Sequence, residues 1–454
     1  MGDIRVLIDI GSTFTKAVAV DLAQETVICT ARTPTTAKND VTIGVRETLK
    51  RIEVSTGPLT PDCEIVACSS AAGGLRMVAI GLMPELSSEA AKRAALGAGA
   101  KIVGHFCHHI TRKELEQIEH ISPDIILLAG GTDGGNDTAI VHNASMLSQS
   151  KVKAPVVVAG NKCAYDTIED LLKDASKTAV FVENVMPEIG KLEVEACREA
   201  IRAIFMENII KAKGLDTARE LIGDIIMPTP AAVLRAATLL ADGVDGEDGI
   251  GELIVIDVGG ATTDVYSIAR GNPSSSMVLL RGLPEPYAKR TVEGDLGVRH
   301  NIDVLRELCV RKGIVIDEHI FSAFHAEPSR IPASEQEFAL DQALSRAAVE
   351  TSFERHTGKV EVMYGPHGEM AVQTGKDLTT VNKVIGTGGP LVCSLNPREL
   401  LDSVVGGPAK SNMLKPKAAD FFIDKDYVMF AMGLLARSEP KKALRILKKT
   451  LSPV

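Results

Sequence analysis

Asp9 and Asp257 stand in like surroundings, far apart in the chain. Asp9 follows the apolar run Ile4 to Ile8 and opens the corner Asp9-Ile10-Gly11-Ser12-Thr13-Phe14-Thr15-Lys16. Asp257 follows Ile254-Val255-Ile256 and opens Asp257-Val258-Gly259-Gly260-Ala261-Thr262-Thr263-Asp264. An acid at a strand end beside a corner of Gly, Ser and Thr suits phosphate chemistry. Small residues at Gly11, Ser12 and Thr13, and at Gly259, Gly260, Thr262 and Thr263, expose backbone N–H groups and let phosphate oxygens approach closely. The carboxylates of Asp9 and Asp257 can hold a hydrated Mg²⁺, and Lys16 adds positive charge. A third piece, Val384-Ile385-Gly386-Thr387-Gly388-Gly389-Pro390, is a short apolar strand ending in glycines. At Gly386, Gly388 and Gly389 an adenosine ring can lie flat against the backbone. These residues form the expected site for ATP and Mg²⁺, with Asp9 and Asp257 as its metal-holding and catalytic acids.

Two such devices need two sheets to carry them. Ile4 to Ile8 and Thr15 to Val20 read as the arms of a hairpin, followed by a strand at Val27 to Ala31, a helix at Val41 to Ile52 and a strand at Ile65 to Cys68. The repeat around Asp257 predicts a second α/β domain facing the first across a cleft. Between them, Asp124 to Leu128 and Val156 to Ala159 are apolar strands that run into glycine, with helical patterns at Glu114 to Ile121 and Thr138 to Leu147. That alternation predicts a parallel α/β insertion at about 85–222, inside a first half of 1–242, with the second half at 251–454. The loop Ala129-Gly130-Gly131-Thr132-Asp133-Gly134-Gly135-Asn136 reads as a tight turn, or else as a second ligand loop.

Together the three motifs resemble those of the actin, sugar-kinase and heat-shock-chaperone ATPase superfamily, in the same order. The expected fold is therefore α/β, with two ribonuclease H-like ATPase domains facing a nucleotide cleft and an α/β insertion in the first half. More closely, the whole chain resembles the glutamate mutase accessory protein family GlmL, also labelled MutL. The stretches Asp9 to Thr13, Leu127 to Asn136 and Asp257 to Asp264 carry that likeness. It implies an ATP-driven reactivating chaperone whose protein client is an adenosylcobalamin-dependent mutase, such as glutamate (methylaspartate) mutase. A small-molecule kinase of the same superfamily, with Asp264 or Glu293 as base, is the rival. A nucleotide-gated scaffold with little turnover is another.

One departure bears on turnover. Ile225-Ile226-Met227-Pro228-Thr229-Pro230 resembles the start of the superfamily's first connecting helix, and Tyr427 to Arg437 the second. Heat-shock-type chaperones carry an acid at the position of Met227, where it helps to place the attacking water. A thioether cannot orient that water, so slow hydrolysis is expected.

Composition narrows the partners. A formal charge of −9 argues against a dedicated nucleic-acid binder. No run is apolar and long enough to cross a bilayer, and the start shows no signal peptide, so a cytoplasmic protein is expected. Eight scattered cysteines with no C-x-x-C read as free thiols. His105, Cys107, His108 and His109 have helical spacing, but no carboxylate nearby completes a metal site. Glu293 and Asp295 are either cleft carboxylates or solvated loop charges. The tail, Lys441 to Lys449, reads as a capping helix or as a dock for an acidic partner. The oligomeric state is left open.

Overall fold

The apolar runs flanking Asp9 pair as a hairpin because each buries alternate side chains in the same core. The computed structural model of the chain describes all residues except 1–2, 12, 37–39, 71–74, 84–89, 92–93, 95–99, 213–220, 224, 274, 276, 366–367 and 407–411. In it β1 (Ile4–Ile10) and β2 (Phe14–Asp21) are antiparallel, with Asp9 opposite Lys16. β3 (Thr26–Pro34) continues the meander, and Lys16 stands opposite Arg32. After helix α1 (Val41–Thr56), β4 (Glu64–Ser69) lies parallel to β1 on its other side. The chain forms two compact units, Met1–Gly73 with Ile210–Val454, and Gly74–Ile209.

The second unit is a five-stranded, all-parallel sheet. Its strands are β5 (Leu75–Gly81), β6 (Ala100–Cys107), β7 (Ile125–Leu128), β8 (Val156–Val158) and β9 (Ala179–Phe181), in the order β6-β5-β7-β8-β9. Parallel neighbours need crossovers. Helices α2 (Arg112–Ile121), α3 (Thr138–Ser148) and α4 (Tyr165–Asp174) lie in them, and α5 (Glu195–Ala212) follows. β5 is hydrogen-bonded between β6 and β7, so the sheet starts before residue 85. His105 and Cys107 lie on β6, which corrects the helical spacing read for the 105–109 run. Thr111 then caps α2 in a reciprocal box with Glu114. The alanine-rich stretch 90–100, whose composition reads as helical, lies mostly outside the described residues. Among the described residues no group of three or more His, Cys, Asp or Glu could hold a metal ion.

The chain returns to the first sheet with β10 (Ile225–Pro228), parallel to β4, and enters α6 (Thr229–Asp242). The glycine-rich stretch that follows holds a small hairpin, β11 (Gly243–Val244) with β12 (Glu247–Asp248). β13 (Leu253–Val258) and β14 (Thr263–Ile268) then repeat the opening device, with Asp257 opposite Asp264. β15 (Val278–Arg281) precedes β16 (Ala288–Glu293), which pairs antiparallel with β14. Three helices follow, α7 (Ile302–Arg311), α8 (Glu318–Ala326) and α9 (Glu335–His356). β17 (Lys359–Gly365) and β18 (Gly368–Thr374) form a hairpin, and β15 joins β18. β19 (Lys383–Thr387) and β20 (Asp420–Ile423) extend the second sheet in parallel, and β21 (Ser452–Pro453) closes its edge.

Read outward from the third strand, the sheets run β3-β2-β1-β4-β10 and β16-β14-β13-β19-β20. Each has two antiparallel pairings, then two parallel ones. The first unit is thus one ribonuclease H-like arrangement made twice, as the sequence led us to expect. A shared core joins the two halves, with Leu7, Val18 and Val20 from one sheet and Leu253, Val255 and Tyr266 from the other. Through it run α6 and α10 (Val428–Leu435), whose eight residues are all buried. They cross where Gly433 meets Ala232: a Cβ on Gly433 would stand 1.9 Å from the Ala232 carbonyl oxygen. Only glycine permits that crossing.

The last helix, α11 (Pro440–Thr450), buries Ala443, Leu444, Ile446 and Leu447. Arg445 pairs with Glu25 and Glu247, and the Lys448 ammonium donates to the Asp248 carbonyl. These bases are engaged at home, which supports the capping role. All eight cysteines are free, and no helix among the described residues is long and apolar enough to cross a membrane.

Candidate functional site

The two hairpin tips use the same backbone device. Gly11 N–H donates to the Phe14 carbonyl at 3.1 Å, and a Cβ on Gly11 would stand 2.5 Å from that oxygen. Gly259 N–H donates to the Thr262 carbonyl at 2.9 Å, with a Cβ again too close at 2.9 Å. Both turns therefore require glycine. The tips meet: a Cβ on Gly260 would lie 3.3 Å from Thr13 Oγ1. Ser12 lies outside the described residues.

Behind the tips is a cavity of about 210 Å³. Asp9, Gly11, Thr13, Lys16, Asp257, Gly259, Gly260, Thr262, Gly388 and Gly389 all line it. Elements from both halves of the first unit thus bring most of the expected site residues to one place.

Two expected residues do not reach the cavity. Gly386 lies within β19, where a Cβ would meet the side chains of Ile423, Leu391 and Leu401 at 2.8–3.2 Å. It is a close-packing position in the core. Thr263 is fully buried and its hydroxyl donates to the Leu296 carbonyl at 2.7 Å. Alternation explains this: Thr262 and Asp264 face the cavity, so Thr263 faces away. The two remaining glycines of the third motif differ from each other. Gly388, at φ +92°, is pressed against Val258, whose carbonyl oxygen lies 2.2 Å from where a Cβ would stand. Gly389 has only the Tyr427 hydroxyl near its Cβ position, at 3.7 Å.

The acids of the site differ in their surroundings. Asp9 is 3% exposed and accepts from the Thr229 hydroxyl at 2.5 Å. Burial pushes the Asp257 carboxyl up to about 7 against the pull of Lys16, and the charges of Asp264, Asp9 and Asp424 add to the push. Asp264 is clamped by Arg290 at 2.6 Å and by the Thr262 hydroxyl at 3.1 Å. Asp424 caps α10 by accepting from Val428 and Met429 N–H, and burial raises its pKa. The oxygens available to a cation are the carboxylates of Asp9 and Asp257 and the Thr229 hydroxyl. Hard oxygen donors without a closed cage suit Mg²⁺, which keeps several of its waters.

Other expected residues lie elsewhere. Glu293 and Asp295 are bound by Arg355 at 2.6 and 2.8 Å and do not line the cavity. Met227 is buried in the shared core, its backbone opposite Cys68, and does not reach the cavity either. An apolar side chain at that strand position completes packing against α6. In the second unit, the loop after β7 is tied down by side-chain amides. Asn161 donates to the Gly135 carbonyl and accepts from Gly134 N–H, and Asn184 donates to the Gly131 carbonyl and to Asp133. Those bonds favour the tight-turn reading.

Sequence reasoning missed Arg32, Thr229 and Tyr427, all of which line the cavity. Tyr427 has a left-handed backbone, φ 54°, and the Lys16 ammonium lies 4.7 Å from its ring centroid. A bulky residue in that conformation marks a strained position and is common at functional sites. The sequence marks it only as the first residue of the second connecting helix.

Comparison with known proteins agrees with the motifs. A family described as MutL protein matches residues 5–451. Protein MutL of Clostridium tetanomorphum is 48% identical over 461 aligned positions, covering 100% of both chains. Among solved structures, xylulose kinase from Bifidobacterium adolescentis aligns at 10% identity with a TM-score of 0.33, covering 99% of this chain and 94% of that one. ROK hexokinase from Thermus thermophilus aligns at 11% identity with a TM-score of 0.26, covering 98% of each. Matched by family and relative over almost its whole length, the chain belongs to the MutL protein family.

Proposed function

We propose that this protein is an ATP-driven accessory protein that reactivates an adenosylcobalamin-dependent mutase, of which glutamate (methylaspartate) mutase is the best candidate. The nucleotide part rests on one observation: two like hairpins bring Asp9 and Asp257 to the same cavity. The client part rests on membership of the MutL family.

In this reading the exposed N–H groups of both tips hold the phosphate chain, and Lys16 balances its charge. Bound Mg²⁺ supplies charge neutralisation at the phosphates. Asp257, which lines the same cavity, accepts a proton from the attacking water. Asp9 is oriented by Thr229. A nucleotide touching both tips favours the closed cleft, and turnover releases it. A client that binds one state better is captured or released by that cycle.

The kinase alternative loses support from the geometry. Asp264 is neutralised by Arg290, and Glu293 is paired with Arg355 away from the cavity.

The test uses purified glutamate mutase carrying inactivated cobalamin. It is incubated with this protein, free adenosylcobalamin and Mg²⁺–ATP, and recovered mutase activity is measured. Recovery that requires ATP and is lost with Asp257→Asn supports the proposal. Equal recovery without the protein overturns it.

A further inference from the structure

Arg32 lines this cavity, and no motif accounts for it. It stands on β3 opposite Lys16, which stands on β2 opposite Asp9. Directly paired residues on neighbouring strands point to one face. The three therefore form a row across the first sheet, and all three line the cavity.

The row is unbalanced in charge. Asp9 already accepts from the Thr229 hydroxyl, and the Lys16 ammonium rests over the Tyr427 ring. Among the described residues neither Lys16 nor Arg32 has a carboxylate within ion-pair distance. The contacts of the Arg32 guanidinium are weak: Cys393 Sγ at 3.9 Å and the Phe14 ring at 5.8 Å from its centroid. Like charges directly opposite each other on adjacent strands are destabilising, and arginine cannot shed its proton. Lys16 already faces the Asp257 carboxyl across the cavity, which leaves the Arg32 guanidinium as the cation that a bound anion would relieve. The planar guanidinium fork suits two oxygens of one phosphate, and the ammonium beside it suits the next.

We propose that Arg32, together with Lys16, contacts the phosphate chain of a nucleoside polyphosphate. This rests on the nucleotide reading above and adds to it the residue that makes affinity depend on the phosphates. Its neighbours fit the role: Phe14 belongs to the first tip, and Cys393 ends the short helix that begins at Gly389.

The experiment measures binding of ATP, adenosine and inorganic triphosphate, each with Mg²⁺, to the full chain by calorimetry. Wild type, Arg32→Gln and Arg32→Lys are compared, with melting curves alongside. Arg32→Gln should weaken ATP and triphosphate by about tenfold or more, as expected for losing a charged hydrogen bond. It should leave adenosine unchanged and flatten the salt dependence of ATP binding. Arg32→Lys should restore part of the loss. Unchanged ATP affinity in Arg32→Gln overturns the proposal and leaves the nucleotide reading standing. An equal loss for ATP and adenosine also overturns it, because the residue would then act through the shape of the cavity. Wild type that binds triphosphate but not ATP or adenosine, with triphosphate lost in Arg32→Gln, keeps the anion contact and removes the nucleotide. Wild type that binds none of the three overturns both.

Discussion

Asp9 and Lys16 face each other across the first hairpin, and each reaches the start of a different crossing helix. Asp9 accepts from Thr229, the first residue of α6, and Lys16 lies over Tyr427, which immediately precedes α10. Those helices cross at Ala232 and Gly433. A ligand that draws Lys16 away from Tyr427, or competes with Thr229 for Asp9, thus acts at the helices that join the two halves. This is a short physical route from phosphate to hinge.

Asp257 should be dispensable for folding and indispensable for turnover. Its carboxyl is buried at a cost that an uncharged amide of the same shape avoids. Asp257→Asn is expected to melt no lower than wild type at pH 8 while Mg²⁺-dependent ATP turnover drops by about 10²-fold or more. Steady-state ATPase rates and melting curves check both halves. A variant that turns over normally removes Asp257 from the mechanism.

The same group predicts a pH dependence. Asp257 is raised to about 7 by burial, so the folded protein holds its proton at pH values where the unfolded chain has lost it. This contribution to stability is fully present below the ordinary carboxylate range and is lost as pH rises through about 7. Metal binding has the opposite sense, because Mg²⁺ competes with that proton. Affinity for Mg²⁺–ATP should therefore fall as pH drops from about 8 to 6. In Asp257→Asn that slope should flatten to the part due to protonation of the nucleotide itself, as calorimetric titrations at several pH values would show.

Met227 should be intolerant of charge. It packs in the shared core, so Met227→Glu is expected to lower the melting temperature by roughly 5 °C or more through an unpaired buried carboxyl. It should not raise basal ATPase. Met227→Leu, similar in volume, should cost less than about 1.5 kcal/mol. A stable Met227→Glu protein with faster turnover would show that the side chain reaches the cavity after all.

The two glycines of the third motif should separate in the same pair of assays. Gly388→Val forces a Cβ into the Val258 carbonyl at a positive φ, so it should reduce stability first. Gly389 faces open space beside Tyr427. Gly389→Val should instead weaken ATP binding by about tenfold or more with little change in melting temperature. The reverse pattern would place the purine elsewhere.

The sequence by itself determined the pieces that depend on local chemistry. Strand, acid and glycine corner at Asp9 and at Asp257 specify hairpins wherever they occur, because period-two burial and tight turns are local constraints. The duplicated halves and the parallel insertion were legible for the same reason, and the two connecting helices through resemblance. Only the tertiary structure decided which side of each element faces the cavity. Thr262 and Thr263 look alike in sequence, yet one lines the cavity and the other is sealed beneath it. Met227 stands out in the sequence as a departure from the resemblance to heat-shock-type chaperones, yet its side chain fills the core. Arg32 belongs to no motif, and Thr229 and Tyr427 read in the sequence only as starts of connecting helices, not as cavity residues. They come together because cross-strand register and helix crossing bring distant positions within a few ångströms. Those are long-range relations set by packing, and no local pattern records them.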